Sequence, residues 1–369
     1  MRAQRSRRTV IATAVAGFLG IAVAGCNGNS PQPQASMAVV PSTANSAGTS
    51  GGTSAGSSAG APAVPSSGAV ACPTAGATTV SSAGALTSAL SSARPGEVIS
   101  LAPGVYSGDF VASRSGTASA PITLCGSRNA VLQGDTTKKG YTFYLDHASW
   151  WRVEGFTVEG GQKGVMTDGA DHNLLYGLYV HGTGDEAIHL RSFSSDNTVS
   201  HNVVRDTGSL KQFYGEGIYV GSAHSNWCTY SGCQPDRSDG NVLSDNDIAN
   251  TTAENIDIKE GTAGGQIIGN QFNGTGMVES AATGWINVKG NGWTVRDNTG
   301  VDSVQNGYQV HQVYSGWGIG NTFIGNRAQV NGPGYGIYVQ NKRLQTVVAC
   351  NNVVTAAGSG FSTVACSSA

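Results

Sequence analysis

The run Glu254-Asn-Ile-Asp-Ile-Lys259 gathers two carboxylates and an ammonium around two isoleucines within six residues. Apolar positions two apart are the signature of a β-strand with one buried face. Five further runs repeat the pattern: Glu186-Ala-Ile-His-Leu-Arg191, Glu216-Gly-Ile-Tyr-Val-Gly221, Gly284-Trp-Ile-Asn-Val-Lys289, Asn306-Gly-Tyr-Gln-Val-His311 and Tyr335-Gly-Ile-Tyr-Val-Gln340. Stacked in register at the ~4.8 Å spacing of hydrogen-bonded strands, they form polar columns on one face of a solenoid, and that face is expected to meet water. The first column holds Glu186, Glu216 and Glu254. The second holds His189, Tyr219, Asp257, Asn287, Gln309 and Tyr338, and the third Arg191, Gly221, Lys259, Lys289, His311 and Gln340.

Like charges opposite one another destabilise a sheet, so stacked glutamates require either a raised pKa or a cation among them. Calcium suits such hard oxygen donors, and Glu216, Glu254, Asp257 and Glu186 are its expected ligands, in a site of either catalytic or purely structural purpose. Lys259 and Lys289 stand one coil apart, where each ammonium disfavours the other and lowers the pKa of a prospective base. The plainer reading of both is a solvated surface charge. Lys259, Lys289, Arg191 and His189 are the catalytic candidates, and Tyr219, Trp227, Asn287, His311 and Tyr338 the substrate contacts.

These residues need a scaffold. With 53 glycines among 369 residues, 12% charged residues and a net charge of -2, the chain suits an all-β repeat and has no basic footprint for nucleic acid. A second repeat places an asparagine between apolar residues at Asn202, Asn246, Asn270, Asn326 and Asn351, with Asn298 a weaker match and Gly155 and Gly177 in the equivalent place earlier. Its intervals, roughly 22 to 28 residues, give one coil each, and the asparagines are expected to form a buried structural ladder. The nearly doubled step from Asn202 to Asn246 marks an insertion. Within it, Gly208 to Asp239 is rich in polar and aromatic residues and is read as a wall over the carboxylate columns, or as a surface loop stapled by a disulfide. Trp227, Trp285, Trp293 and Trp317 suit either sugar stacking or packing.

Residues 82 to 94 carry Leu86 and Leu90 on one helical face before Pro95-Gly96, a short N-terminal capping helix for the solenoid. The basic start Met1 to Arg8 and the apolar run that follows read as an export signal. Its end, Val23-Ala-Gly-Cys26, resembles a bacterial lipobox, which implies lipidation of Cys26 and a chain tethered outside the cytoplasmic membrane by that anchor alone. An ordinary signal peptide is the alternative, and Ser6-Arg7-Arg8-Thr9-Val10-Ile11 looks somewhat like a twin-arginine signal. The organisation is thus a lipoprotein signal peptide at 1–26, a Ser/Ala/Gly/Pro-rich stalk too poor in apolar residues to fold at 27–70, and the β-helix at 71–369. Beyond Cys26, six cysteines remain for pairing. Locality suggests Cys72 with Cys125, Cys228 with Cys233 and Cys350 with Cys366, and no CxxC spacing favours a metal instead.

The succession Glu97-Val-Ile-Ser-Leu101, Pro103-Gly-Val-Tyr-Ser-Gly108 and Gly116 to Leu124 resembles the opening of right-handed parallel β-helix proteins of the pectate-lyase-like superfamily. The strands at 254–259 and 284–290 are similar to the catalytic coils of the chondroitinase B and alginate lyase family. That resemblance implies a calcium ligand at Glu254 and a base at Lys259 that removes the proton α to a uronate carboxylate. Lys289 stands where that family has arginine, and Glu260 where it has serine. The expected function is therefore a monomeric lyase that cleaves an acidic polysaccharide with calcium and a lysine base. A glycoside hydrolase with paired carboxylates, a uronate epimerase and a non-catalytic glycan-binding module are the alternatives.

Overall fold

The computed structural model describes residues 72–73 and 75–368; the expected export signal, the lipid site Cys26 and the stalk at 27–70 lie outside the described residues. The chain winds as a right-handed parallel β-helix whose coils each give one short strand to each of three sheets, of 11, 10 and 10 strands. Neighbours in every sheet are successive coils, so no strand crosses another. A helix spans Ala83–Ser92, with Ser82 accepting from the Ala85 amide at its N-terminus and Leu86 and Leu90 buried in the common core.

The repeated runs occupy one sheet, in strands that include Ile188–Arg191, Ile218–Val220, Ile256–Ile258, Gly284–Val288, Asn306–Val310 and Tyr335–Val339. Their register pairs His189 with Tyr219, Tyr219 with Asp257, Asp257 with Asn287, Asn287 with Gln309 and Gln309 with Tyr338. The second column is thus the one read from the sequence. Amides of Ala187 and Gly217 donate to the carbonyls of Glu216 and Glu254, which stacks the glutamate column coil on coil. Beneath it, Ile188, Ile218, Ile256 and Ile286 are fully buried, each contributing about 1.5–3 kcal/mol.

Two features differ from expectation. The polar face does not meet water: Glu186, Glu216, Glu254, Asp257, His189 and Lys289 are all 8% exposed or less. At strand spacing these side chains cover one another. The columns also begin earlier, because Lys163–Asp168 pairs with Ile188–Arg191 and aligns Met166 with His189 and Asp168 with Arg191. An apolar residue at Met166 hid that copy.

At one corner Asn202, Asn246, Asn270, Asn298, Asn326 and Asn352 form a buried ladder, each amide oxygen accepting both the backbone amide and the side-chain amide of the preceding member at 2.9–3.1 Å. Asn298 is a full member and Asn352, not Asn351, is the last. Gly155 and Gly177 belong one position earlier, in a column of left-handed residues that continues through His201, Asp245, Gly269, Asp297 and Gly325. The ladder column itself runs back to Leu178, whose amide donates to Asn202. The sequence motif slipped by one because glycine, aspartate and asparagine all tolerate the left-handed turn. A further ladder, Asn173–Asn197–Asn241, lies at another corner and was not foreseen.

The three disulfides are Cys72–Cys125, Cys228–Cys233 and Cys350–Cys366, as locality suggested. Asn270→Ala strips Asn246 of its acceptor and leaves a buried amide unpaired, so denaturant unfolding should show a loss of about 3 kcal/mol. A loss within a few tenths would mean that the corner holds without the ladder.

Candidate active site

The carboxylate of Asp257 is the hub of the site. Its two oxygens take the Lys289 ammonium at 2.6 and 2.8 Å and the Lys259 ammonium at 2.6 Å. Burial opposes charge on Asp257, yet the two ammoniums outweigh it and hold the carboxyl below its ordinary range. For Lys259 burial favours the neutral form, but Asp257, Tyr219 and Glu216 outweigh it and hold the ammonium well above the usual lysine range. The sequence reading expected the opposite from two stacked lysines. Asp257, placed between them, reverses the sign.

Glu254 accepts the Asn287 amide at 3.0 Å, and the Asn287 carbonyl meets His311 Nδ1 at 2.8 Å. Asn287 therefore faces its neighbours in the sheet, where the sequence suggested a substrate contact. Glu216 has no such partner: its Oε2 is buried and unbonded, and burial followed by the charges of Glu186 and Asp257 drives its pKa well up. Glu186, expected among the metal ligands, is instead paired with Lys163 and lies 3.3 Å from His189 Nδ1. Burial opposes its charge, but His189 and Lys163 lower its pKa to about 2.

Carboxylate oxygens of Glu216, Glu254 and Asp257 lie within 4.8 Å of one another, a donor set of the kind a hard cation takes. The fit is partial. Both oxygens of Asp257 already bind ammonium groups, and a cation on all three carboxylates would meet Lys259 and Lys289 head on.

Beside this cluster the face opens into a cavity of about 270 Å³ whose floor includes Glu186, His189, Arg191 and Tyr219. Asp168 grips Arg191 through two bonds of 2.6 and 2.9 Å, and the guanidinium stacks at 3.9 Å on Tyr230. Lys211, Tyr214, Asn226 and Tyr230 of the inserted segment line the cavity too, so that segment contributes to the cavity wall. Tyr219 links cavity and cluster: it lines the first, and Lys259 Nζ lies 4.7 Å from its ring centre. Burial, above all, holds its phenol neutral. His189 keeps a neutral ring through burial, and its Nε2 meets the Gly221 carbonyl at 3.0 Å.

Trp227 is not a sugar platform. It is 7% exposed, donates to the Ser222 carbonyl and packs against Tyr314; Trp285 and Trp293 are core residues too. His311 and Tyr338 line a separate cavity farther along the same sheet. Lys163, Asp168 and Tyr141 are not evident from the sequence pattern, whereas Tyr230 lies in the segment expected to form the wall; Lys163 and Asp168 begin and end the additional copy of the repeat, which was the available signal.

Residues 105–310 match the model of a family described as periplasmic copper-binding protein (NosD). An alginate lyase from Paenibacillus sp. str. FPU-7 is 37% identical over 77% of this chain and 97% of that one, with a TM-score of 0.71. The chain belongs to the pectate-lyase-like superfamily of right-handed parallel β-helix proteins, and within it to the family of that model. Two more distant structures share the fold: a pectate lyase, 15% identical over 81% of this chain and 84% of that one with a TM-score of 0.54, and a polygalacturonase from Erwinia carotovora ssp. carotovora, 13% identical over 82% and 99% with a TM-score of 0.53. No curated protein sequence matches.

The orphaned Glu216 makes a stability prediction. A carboxyl whose pKa is raised on folding binds more protons folded than unfolded, so it costs stability as pH rises above its ordinary value. Glu216→Gln should therefore melt higher than wild type at neutral pH, with the gain fading toward pH 4. Equal differences at both pH values would show that Glu216 is not perturbed.

Proposed function

We propose that this β-helix protein is a polysaccharide lyase acting on a uronate polymer of the alginate type. The observation that carries the reading is the Lys259 ammonium against the Tyr219 phenol at the edge of a cavity lined by Lys163, Arg191 and Lys211. The alginate lyase that it resembles over most of both chains supports the substrate class. Elimination requires a base for the proton α to the carboxylate, a donor for the leaving oxygen, and positive charge near the carboxylate as the enolate develops. Lys259, once neutral, takes the carbon-bound proton, the electron pair moves to expel the glycosidic oxygen, and Tyr219, held neutral by burial, protonates that oxygen. Lys289, one strand from Lys259, supplies charge beside the sugar carboxylate, and Arg191, fixed by Asp168 three strand steps away, is placed to meet the carboxylate of another sugar unit of the chain.

No step is routed through calcium, because Lys259 and Lys289 already occupy both oxygens of Asp257. Chelation of divalent cations is expected to leave turnover unchanged; its loss would put a cation on Glu216 and Glu254. The copper named in the family description finds no support either. Among the described residues the one group of three or more metal-capable side chains is all carboxylate, whereas copper prefers nitrogen and sulfur. Export and a lipid anchor on Cys26 belong to the same proposal, in keeping with three disulfides that an oxidising compartment favours.

Lys259→Ala and Tyr219→Phe should each lower turnover on alginate about 10²- to 10⁴-fold, followed by ultraviolet absorbance of the unsaturated product. New reducing ends without that absorbance, surviving in Lys259→Ala and abolished in Glu216→Gln, would establish a paired-carboxylate hydrolase instead.

The pH profile provides a second test. Lys259 must lose a proton that Asp257 holds tightly, so turnover should climb as pH rises through and beyond neutrality. Lys289→Met leaves the charge of Asp257 undivided on Lys259, and the climb should shift to higher pH. A profile unmoved by Lys289→Met would remove Lys259 as the base.

A further inference from the structure

Three strand steps beyond Tyr219, the same sheet face holds a second cavity of about 270 Å³, with Gln309 and His311 in its floor and Tyr335 and Tyr338 beside them. Its chemistry differs from that of the first. No Lys, Arg, Asp or Glu lines it, whereas three cationic side chains line the cavity beside Tyr219. Gln309 is fully buried, and although its Oε1 accepts from Thr283 at 2.8 Å, its Nε2 has no partner. A buried amide donor without an acceptor is costly, and in a cavity wall it indicates a ligand that brings an acceptor. His311 adds a ring whose Nδ1 is committed to Asn287. The Tyr335 and Tyr338 rings, with centres 6.5 Å apart, complete a neutral aromatic flank.

We infer that this cavity is a second glycan subsite, taking the hydroxyl-rich face of a sugar unit remote from the bond that is broken. Four strand steps separate the His189 strand from the Gln309 strand, roughly 19 Å along the solenoid axis at 4.8 Å per step. One extended polymer lying along the columns fills both cavities, and a short oligosaccharide cannot. The enzyme therefore prefers long chains. This rests on the lyase reading for its choice of polymer, but not for the cavity itself.

The test compares kcat/KM on alginate polymer with kcat/KM on an alginate trisaccharide, in the full chain. Tyr335→Ala removes one flank, and Ser359→Trp, an exposed rim position, fills the cavity without touching the core. Each should lower the polymer-to-trisaccharide ratio about tenfold, the equivalent of one favourable contact of some 1.4 kcal/mol. An unchanged ratio in folded Ser359→Trp overturns the subsite while leaving the lyase reading intact. If the wild type does not cleave alginate at all, the lyase reading fails on its own. The subsite is then judged by retardation in native gels containing alginate, polygalacturonate or a neutral galactan: slowed wild type and freely migrating Ser359→Trp support it, and equal migration of the two in every gel overturns it.

Discussion

Stacking of successive coils in register, ~4.8 Å apart, is the constraint on which everything else in this molecule depends. Whatever a position carries, its copy in the next coil meets it directly. Apolar residues profit, and the column from Ile188 to Ile286 is fully buried. Asparagines profit as well, because an amide both donates and accepts along a ladder, as Asn202 to Asn352 do. Charges of one sign do not, and the glutamate column is where the regular solenoid gives way to a site.

The chain resolves that conflict by alternation along and between columns. Asp168 faces Arg191, Glu186 faces Lys163, Glu254 faces Asn287, and Asp257 takes two ammoniums. Burying charge is tolerable only when it is paired and hydrogen-bonded, as Asp168, Glu186 and Asp257 are, whereas Glu254 meets only a neutral amide and burial, followed by the charge of Asp257, raises its pKa. Glu216 is left over, and burial drives it toward the neutral acid. The same pairing holds Lys259 protonated, so whatever proton chemistry it performs must work against Asp257. Cations anchored on internal carboxylates are also held rigidly, which suits them to receive the carboxylate of an acidic sugar without reorganising.

The insertion between Asn202 and Asn246 gives the flat face its depth. One helical turn, Trp227–Tyr230, is stapled by Cys228–Cys233 and pinned through the Trp227 indole to the Ser222 carbonyl, which sets Tyr230 over Arg191. Its tryptophan is therefore an anchor for the wall, and its tyrosine the surface the wall presents.

The sequence by itself determined the solenoid and the polar columns, since a two-residue period and a coil-length repeat survive in one dimension, and it suggested the three cysteine pairs, in which each cysteine joins the next along the chain. The membership of the asparagine ladder was legible to within one position, because adjacent residues of the turn favour the same small polar types. Tertiary structure alone decided the charge states. The like-charge reading of Lys259 and Lys289 failed because Asp257 sits between them. Lys163 partly neutralises the carboxylate column, and its coil is hidden in the sequence because its strand carries the apolar Met166 in the polar column. Partner choice across coils depends on side-chain direction at ångström scale, and burial depends on what overhangs the face; neither leaves a period in the sequence.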